Sequence, residues 1–215
     1  TTVALKGIIG IGAMAQISAA LGYSNDSEMY LASNKCNGSR FLALITDFCR
    51  SQSKATSFIH DQNWQTKTVK SDHITIEFED EESSALLYDL YAERLLGTNV
   101  VNQTVIVMYT KPMNFCQTVL FSNDHPLGIP ISSYILETKS MWSMFAAATF
   151  NDNKTRDGLI KTIFTRATFN QSLERNFPLI YVTHNFSVQS VEGTNPQQGG
   201  MFALLALGYV LAPFL

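Results

Sequence analysis

The sequence predicts a mostly α-helical chain with one or two short β-strands, and three observations carry that expectation. Apolar residues recur at three- and four-residue steps in several separate stretches, which is the spacing of one helical face. Alternation with a period of two, the mark of a half-buried strand, is clear only in His73–Phe78. Apolar stretches stand at both ends, Val3–Leu21 and Met201–Leu215, with amphipathic ones between, as in an all-α ring or bundle.

Between Val3 and Leu21 the only charge is Lys6. A signal peptide would show a basic start, an unbroken apolar core and a small-residue cleavage site. Here Gly7, Gly10, Gly12, Gln16 and Ser18 dilute the run. A spanning helix needs about 20 predominantly apolar residues, which the stretch barely reaches. Leu5, Ile8, Ile9, Ala13, Ile17, Ala20 and Leu21 share one face and predict a core helix stopped by Gly22. Asn25, Asp26 and Ser27 then offer the N-cap of a second helix.

In His73–Phe78, Ile74, Ile76 and Phe78 face one way and Thr75 and Glu77 the other. After the acidic run Glu79–Glu82, Ser83 or Ser84 can cap a helix striped by Leu87, Leu90, Tyr91 and Leu95 and ending at Gly97. Phe115–Tyr134 holds Pro126 and Pro130 without a clear period and reads as a long loop. Lys139–Phe150 and Thr155–Thr168 are two further helices, the second with Leu159, Ile160, Ile163, Phe164 and Ala167 inward. A lipid-anchor signal needs a polar spacer of about 8 residues after its small-residue site, and none follows Gly199–Gly200. The tail therefore predicts a closing helix packed against the first one.

Composition narrows the function. The chain is 46% hydrophobic and only 15% charged, with a net charge of -3. No Lys/Arg cluster is present to neutralise phosphates, which argues against nucleic acid as a partner. Cys36, Cys49 and Cys116 lack CxxC spacing, and His60, His73, His125 and His184 are scattered, so neither a metal site nor a cofactor is expected. Three cysteines allow at most one disulfide, of open pairing. Asn25, Asn37, Asn102, Asn153, Asn170 and Asn185 each begin an Asn-x-Ser/Thr glycosylation acceptor. For 14 Asn residues chance supplies roughly two such sites. The excess points to a secreted glycoprotein.

Four blocks then carry a resemblance. "ALKGIIGIGAMAQISAALG", "LLYDLYAERLLGTNVV", "YILETKSMWSMFAAAT" and "GGMFALLAL", in that order, resemble the C-terminal region of the fungal glutaminase A family. That region is an α-helical toroid related to the six-hairpin glycosidases. The resemblance implies that residues 1–215 form one domain, the C-terminal portion of a larger toroid, with the N-terminal part of a larger chain as its partner. It also implies hydrolysis of L-glutamine to glutamate and ammonia without a cofactor.

Departures from the family pattern are equally specific. Residues 34–62 and 111–125 read as insertions. The family's "PLDSR" is replaced in "GIPISSY", its "TKSDW" reads "TKSMW" with Met141, and its "DWY" is reduced to Ile180-Tyr181. Its "ARPVVGG" reads "TNPQQGG" with Asn195. Lost carboxylates and arginines imply weak or absent turnover by this chain alone.

Hydrolysis in a toroid funnel needs a carboxyl group to move a proton. Asp80, Glu137 and Glu192 are the candidates, with Tyr134, Trp142 and Tyr181 lining the substrate. Solvated loop carboxylates are commoner than catalytic ones, and aromatics at helical spacing are more often core. No Gly-x-Ser-x-Gly elbow supports a serine triad. Two other readings compete: a non-catalytic secreted binding or structural module, and a diverged carbohydrate-active toroid with paired carboxylates.

Overall fold

A computed structural model describes residues 2–31, 76, 80, 83–101, 106, 124–169, 177–187 and 195–211. Among them lie six α-helices: α1 (Thr2–Ala20), α2 (Ser24–Leu31), α3 (Leu90–Leu96), α4 (Ser140–Thr149), α5 (Asn153–Ala167) and α6 (Ala203–Leu211). A 3-10 helix, Pro196–Phe202, leads directly into α6. Strands β1 (Glu137–Thr138) and β2 (Tyr181–Val182) pair antiparallel, with Glu137 opposite Val182 and Thr138 opposite Tyr181. The chain is thus mostly helical, as expected. The expected strand at 73–78 lies outside the described residues apart from Ile76.

Local chemistry explains the boundaries. Gly22 adopts φ 81°, and Gly22 N–H and Tyr23 N–H donate to Ala19 O and Ser18 O, which closes α1 in a Schellman turn. So short a turn folds α2 back antiparallel on α1. The second helix already begins at Ser24, so Asn25–Ser27 lie in its first turn rather than at the cap. Gly97 (φ 59°) ends α3 as expected, its N–H donating to Glu93 O at 2.9 Å. Asp152 caps α5 by accepting from Thr155 N–H at 2.8 Å and from its hydroxyl at 2.7 Å.

Two expectations at the helix starts are corrected. Ser83 and Ser84 do not cap α3 but are buried in an extended segment. There Leu86 N–H donates to Ile131 O (3.0 Å) and Ser133 N–H to Ser84 O (3.0 Å). The 3-10 helix starts upstream of Met201, where Asn195 accepts from Gln197 N–H (2.8 Å) and completes a capping box with Gln198.

The helix directions follow from side-chain pairs. Tyr88 stacks on Trp142, Tyr91 stacks on Phe145, and Arg94 Nη1 donates to Ala148 O at 2.8 Å. Each pair is 54 residues apart, so α3 and α4 run parallel and in register. Helix α1 lies beside α3 in the same sense, with Lys6 at Tyr88 and Gly12 at Thr98. Gly200 packs on Met141 and Phe145 in the first half of α4, and Leu207 shares a core cluster with Ala148 near its end. Four helices therefore present their N-termini to one end of the molecule, while α2 and α5 return after short turns.

Helix α4 is the centre, touching α3, α5, the 3-10 helix and α6. Ala146, Ala147 and Ala148 are almost fully buried and let these neighbours close in. Leu86, Leu87, Ile129 and Leu159 fill the core on one side, and Tyr91, Met144, Ile163, Ala203 and Leu207 on the other. Burying a Leu or Ile side chain contributes about 1.5–3 kcal/mol.

Among the described residues the end helices are not the expected close pair. Both α1 and α6 lean on α3, and they are not each other's principal neighbours. The buried face of α1 is Ile9, Gly12, Ala15 and Ser18, while Ile17 and Leu21 are exposed. In α5, Phe164 and Ala167 point outward, and Thr155, Thr162 and Arg166 are buried beside Leu159 and Ile163. Among the described residues no helix is long and apolar enough to cross a membrane.

Candidate functional site

The shared N-terminal end of the parallel helices gathers the polar chemistry. The extended segment 83–87, held against 131–133, delivers Tyr88 and Asp89 to the start of α3. Pairing of β1 with β2 fixes the entry to α4, where Lys139 is the N-cap residue and Trp142 sits in the first turn. The rings of Tyr88 and Trp142 lie 4.3 Å apart with planes 2° from parallel. Lys139 Nζ stands 4.4 Å from the Trp142 centroid, and Lys6 Nζ stands 4.9 Å from that of Tyr88 while donating to its hydroxyl at 2.9 Å. Such cation–π contacts stiffen the cluster.

Asp89 is the buried acid of this cluster, only 7% exposed. Its Oδ1 is 3.5 Å from Lys6 Nζ, and its Oδ2 has no hydrogen-bond partner among the described residues. Burial pushes the Asp89 carboxyl up to about 6, against the opposing pull of the Lys6 ammonium. Lys6 is itself raised, chiefly by its hydrogen bond to Tyr88. A carboxyl group poised near neutrality can both take up and return a proton in one catalytic cycle.

The residues expected from the sequence fall in several places. Asp80 accepts a hydrogen bond from the Tyr134 hydroxyl, so these two are brought together, and its carbonyl receives Ser83 Oγ at 2.8 Å. Glu137 is half-buried in β1, its carbonyl accepting from Ile131 N–H. Trp142 belongs to the cluster around Asp89. Tyr181 is fully buried, with its phenol raised above the usual range by burial, and so belongs to the core rather than to a substrate surface. Glu192 and the acceptors Asn37, Asn102 and Asn170 lie outside the described residues.

Two departures from the family pattern have local uses. Met141 is buried against Gly200, and Asn195 caps the 3-10 helix. Neither presents a charge. Glu93, the other buried acid among the described residues, accepts from the Thr98 hydroxyl and from Val101 N–H (3.2 Å), which ties down the turn after α3. A cleft of about 330 Å³ is lined by Leu90, Glu93, Arg94, Asn99, Thr149 and Asn151, and Asp89 is not among its lining residues. Among the described residues no group of three or more His, Cys, Asp or Glu could hold a metal ion.

Sequence reasoning missed Asp89, although it lies inside a quoted block. No spacing in the sequence marks it, because its partner Lys6 is an exposed lysine on a helix far away in the chain.

Comparison with known proteins bears on this arrangement. Residues 39–205 match the family model described as the glutaminase A six helical-hairpin domain. Glutaminase A of Aspergillus oryzae is 33% identical over 213 residues, an alignment covering 96% of this chain and 26% of that protein. The chain thus spans about a quarter of the length of the curated relative it matches. No solved structure matches it. With its parallel helices and returning hairpins, the chain belongs to the glutaminase A six helical-hairpin family.

Proposed function

We propose that the chain is the C-terminal part of a secreted, glutaminase-like toroid in which Asp89 moves the proton for hydrolysis of the L-glutamine side-chain amide. The carrying observation is the buried Asp89 carboxyl, poised near pH 6 beside Lys6 at the shared N-terminal end of the helices. In the ionised form it takes a proton from water as the oxygen attacks the amide carbon. The same proton then passes to the departing nitrogen, which leaves as ammonia, and glutamate remains. Lys6 steadies the ionised state before the first transfer and again after the second. The excess of glycosylation acceptors supports secretion.

Turnover by this chain alone is weak or absent. At position 141 a methionine cannot hold a substrate ammonium, and Asn195 cannot pair with a carboxylate as an arginine does. Each lost charged contact costs about 1.5–3 kcal/mol, so two lower the rate by about two to four powers of ten. The inward use of Met141 and the capping use of Asn195 favour, as a second reading, a non-catalytic module.

Steady-state ammonia release from L-glutamine by the purified chain tests the proposal. Slow release that Asp89→Asn removes supports it. Release of about 1 per second or more that survives Asp89→Asn contradicts it. No release above background, with L-glutamine also failing to protect the fold against heat, favours the non-catalytic module.

A further inference from the structure

Three of the six acceptor asparagines lie on described residues, and all three are exposed. Their surroundings differ. Asn25 sits in the first turn of α2. In a helix, residues two apart point to different sides, so the asparagine amide and the following hydroxyl are held apart. Asn153 opens α5, and its Thr155 is wholly buried, with the hydroxyl donating to Asp152 at 2.7 Å. Asn185 occupies the bend 183–186 just after β2. Its Oδ1 accepts from Ser187 N–H at 2.8 Å, an Asx turn that folds amide and hydroxyl toward one another. Both Asn185 and Ser187 are exposed.

The intervening residue supplies a second observation. Phe186 is 36% exposed and stacks on Phe169, with centroids 3.6 Å apart and planes 15° from parallel. An aromatic pair left partly in water gains by being covered.

We propose that Asn185 carries an N-linked glycan whose first sugars cover the Phe169–Phe186 stack. Nδ2 attacks the anomeric carbon of an oligosaccharide held on a lipid pyrophosphate. The new C–N bond forms as the C–O bond to the pyrophosphate breaks, the lipid pyrophosphate leaves, and the amide gives up one proton. The proposal rests on the secretory part of the functional reading, so its test imposes that compartment.

The whole chain is secreted from yeast behind a leader peptide and digested with peptide-N-glycosidase in heavy-oxygen water. This converts every occupied asparagine to a labelled aspartate that peptide mass spectrometry counts. Asn185 is expected to be occupied in most molecules, and Ser187→Ala to abolish labelling at Asn185 alone. Removing the glycan, or making Asn185→Gln, should raise binding of a hydrophobic dye, and Phe186→Ala should cancel that rise. An unlabelled Asn185, whether or not other sites are labelled, overturns the site. Dye binding unchanged by glycan removal overturns the covering role. Occupancy in the yeast product beside a glycan-free native protein supports the acceptor and overturns secretion as the native route.

Discussion

Asp89 and Lys6 form the pair on which the functional reading turns, and burial rather than contact distance sets its character. At 3.5 Å the ammonium attracts the carboxylate, yet desolvation prevails and the carboxyl stands at about 6. The consequence for stability has a definite sign. The folded state binds this proton more tightly than the unfolded chain, whose carboxyl lies near the ordinary aspartate value of 3.8. The stabilising contribution is therefore complete below about pH 4 and is lost as pH rises to about 6. Asp89→Asn removes that loss, so relative to wild type the variant should gain stability between pH 4 and pH 7. Urea unfolding of both proteins across that range measures the difference, and parallel curves would contradict the burial argument. None of this was legible in the sequence, because the pair forms only when the extended segment before α3 meets the face of α1.

At the scale of elements, α4 and α5 were readable because their apolar spacing is strong, and Gly22 and Gly97 because only glycine adopts positive φ at no cost. The packing face of α1 was not readable. A helix apolar on every side has no preferred face, and the small residues Gly12, Ala15 and Ser18 made the choice by allowing close approach. The start of α3 was misread for a different reason. Ser84 pairs with Ser133, far along the chain, while the amide and hydroxyl of Ser83 donate back to Asp80 O, and these partners replace a cap on α3. The joint between the 3-10 helix and α4 is equally tight. A Cβ on Gly200 would stand 2.9 Å from Met141 Cβ and 2.9 Å from the Phe145 ring. Gly200→Val should therefore push the two helices apart and cost about 1–3 kcal/mol. Thermal melting measures this, and an unchanged midpoint would contradict the contact.

For the whole molecule, the parallel course of α1, α3, α4 and the 3-10 helix with α6 could not be read from any one segment. It emerges from the pairs Lys6–Tyr88, Tyr88–Trp142, Tyr91–Phe145 and Arg94–Ala148 taken together. The family resemblance led to the right fold, but not to the acid that the fold buries. Because Ala203 and Leu207 close one side of the core, deleting Met201–Leu215 should bare Tyr91, Met144 and Ala148. The truncated chain is expected to lose cooperative melting and near-ultraviolet circular dichroism, whereas a soluble product with a sharp transition would contradict that packing. The central claim is that the common N-terminal end of the helices holds a carboxyl group poised to transfer a proton. Carbon-13 nuclear magnetic resonance of aspartate-labelled chain, with the signal assigned through Asp89→Asn, tests it most directly. The expected midpoint is about 6, moving higher in Lys6→Met, whereas titration near 3.9 in both proteins would contradict the account.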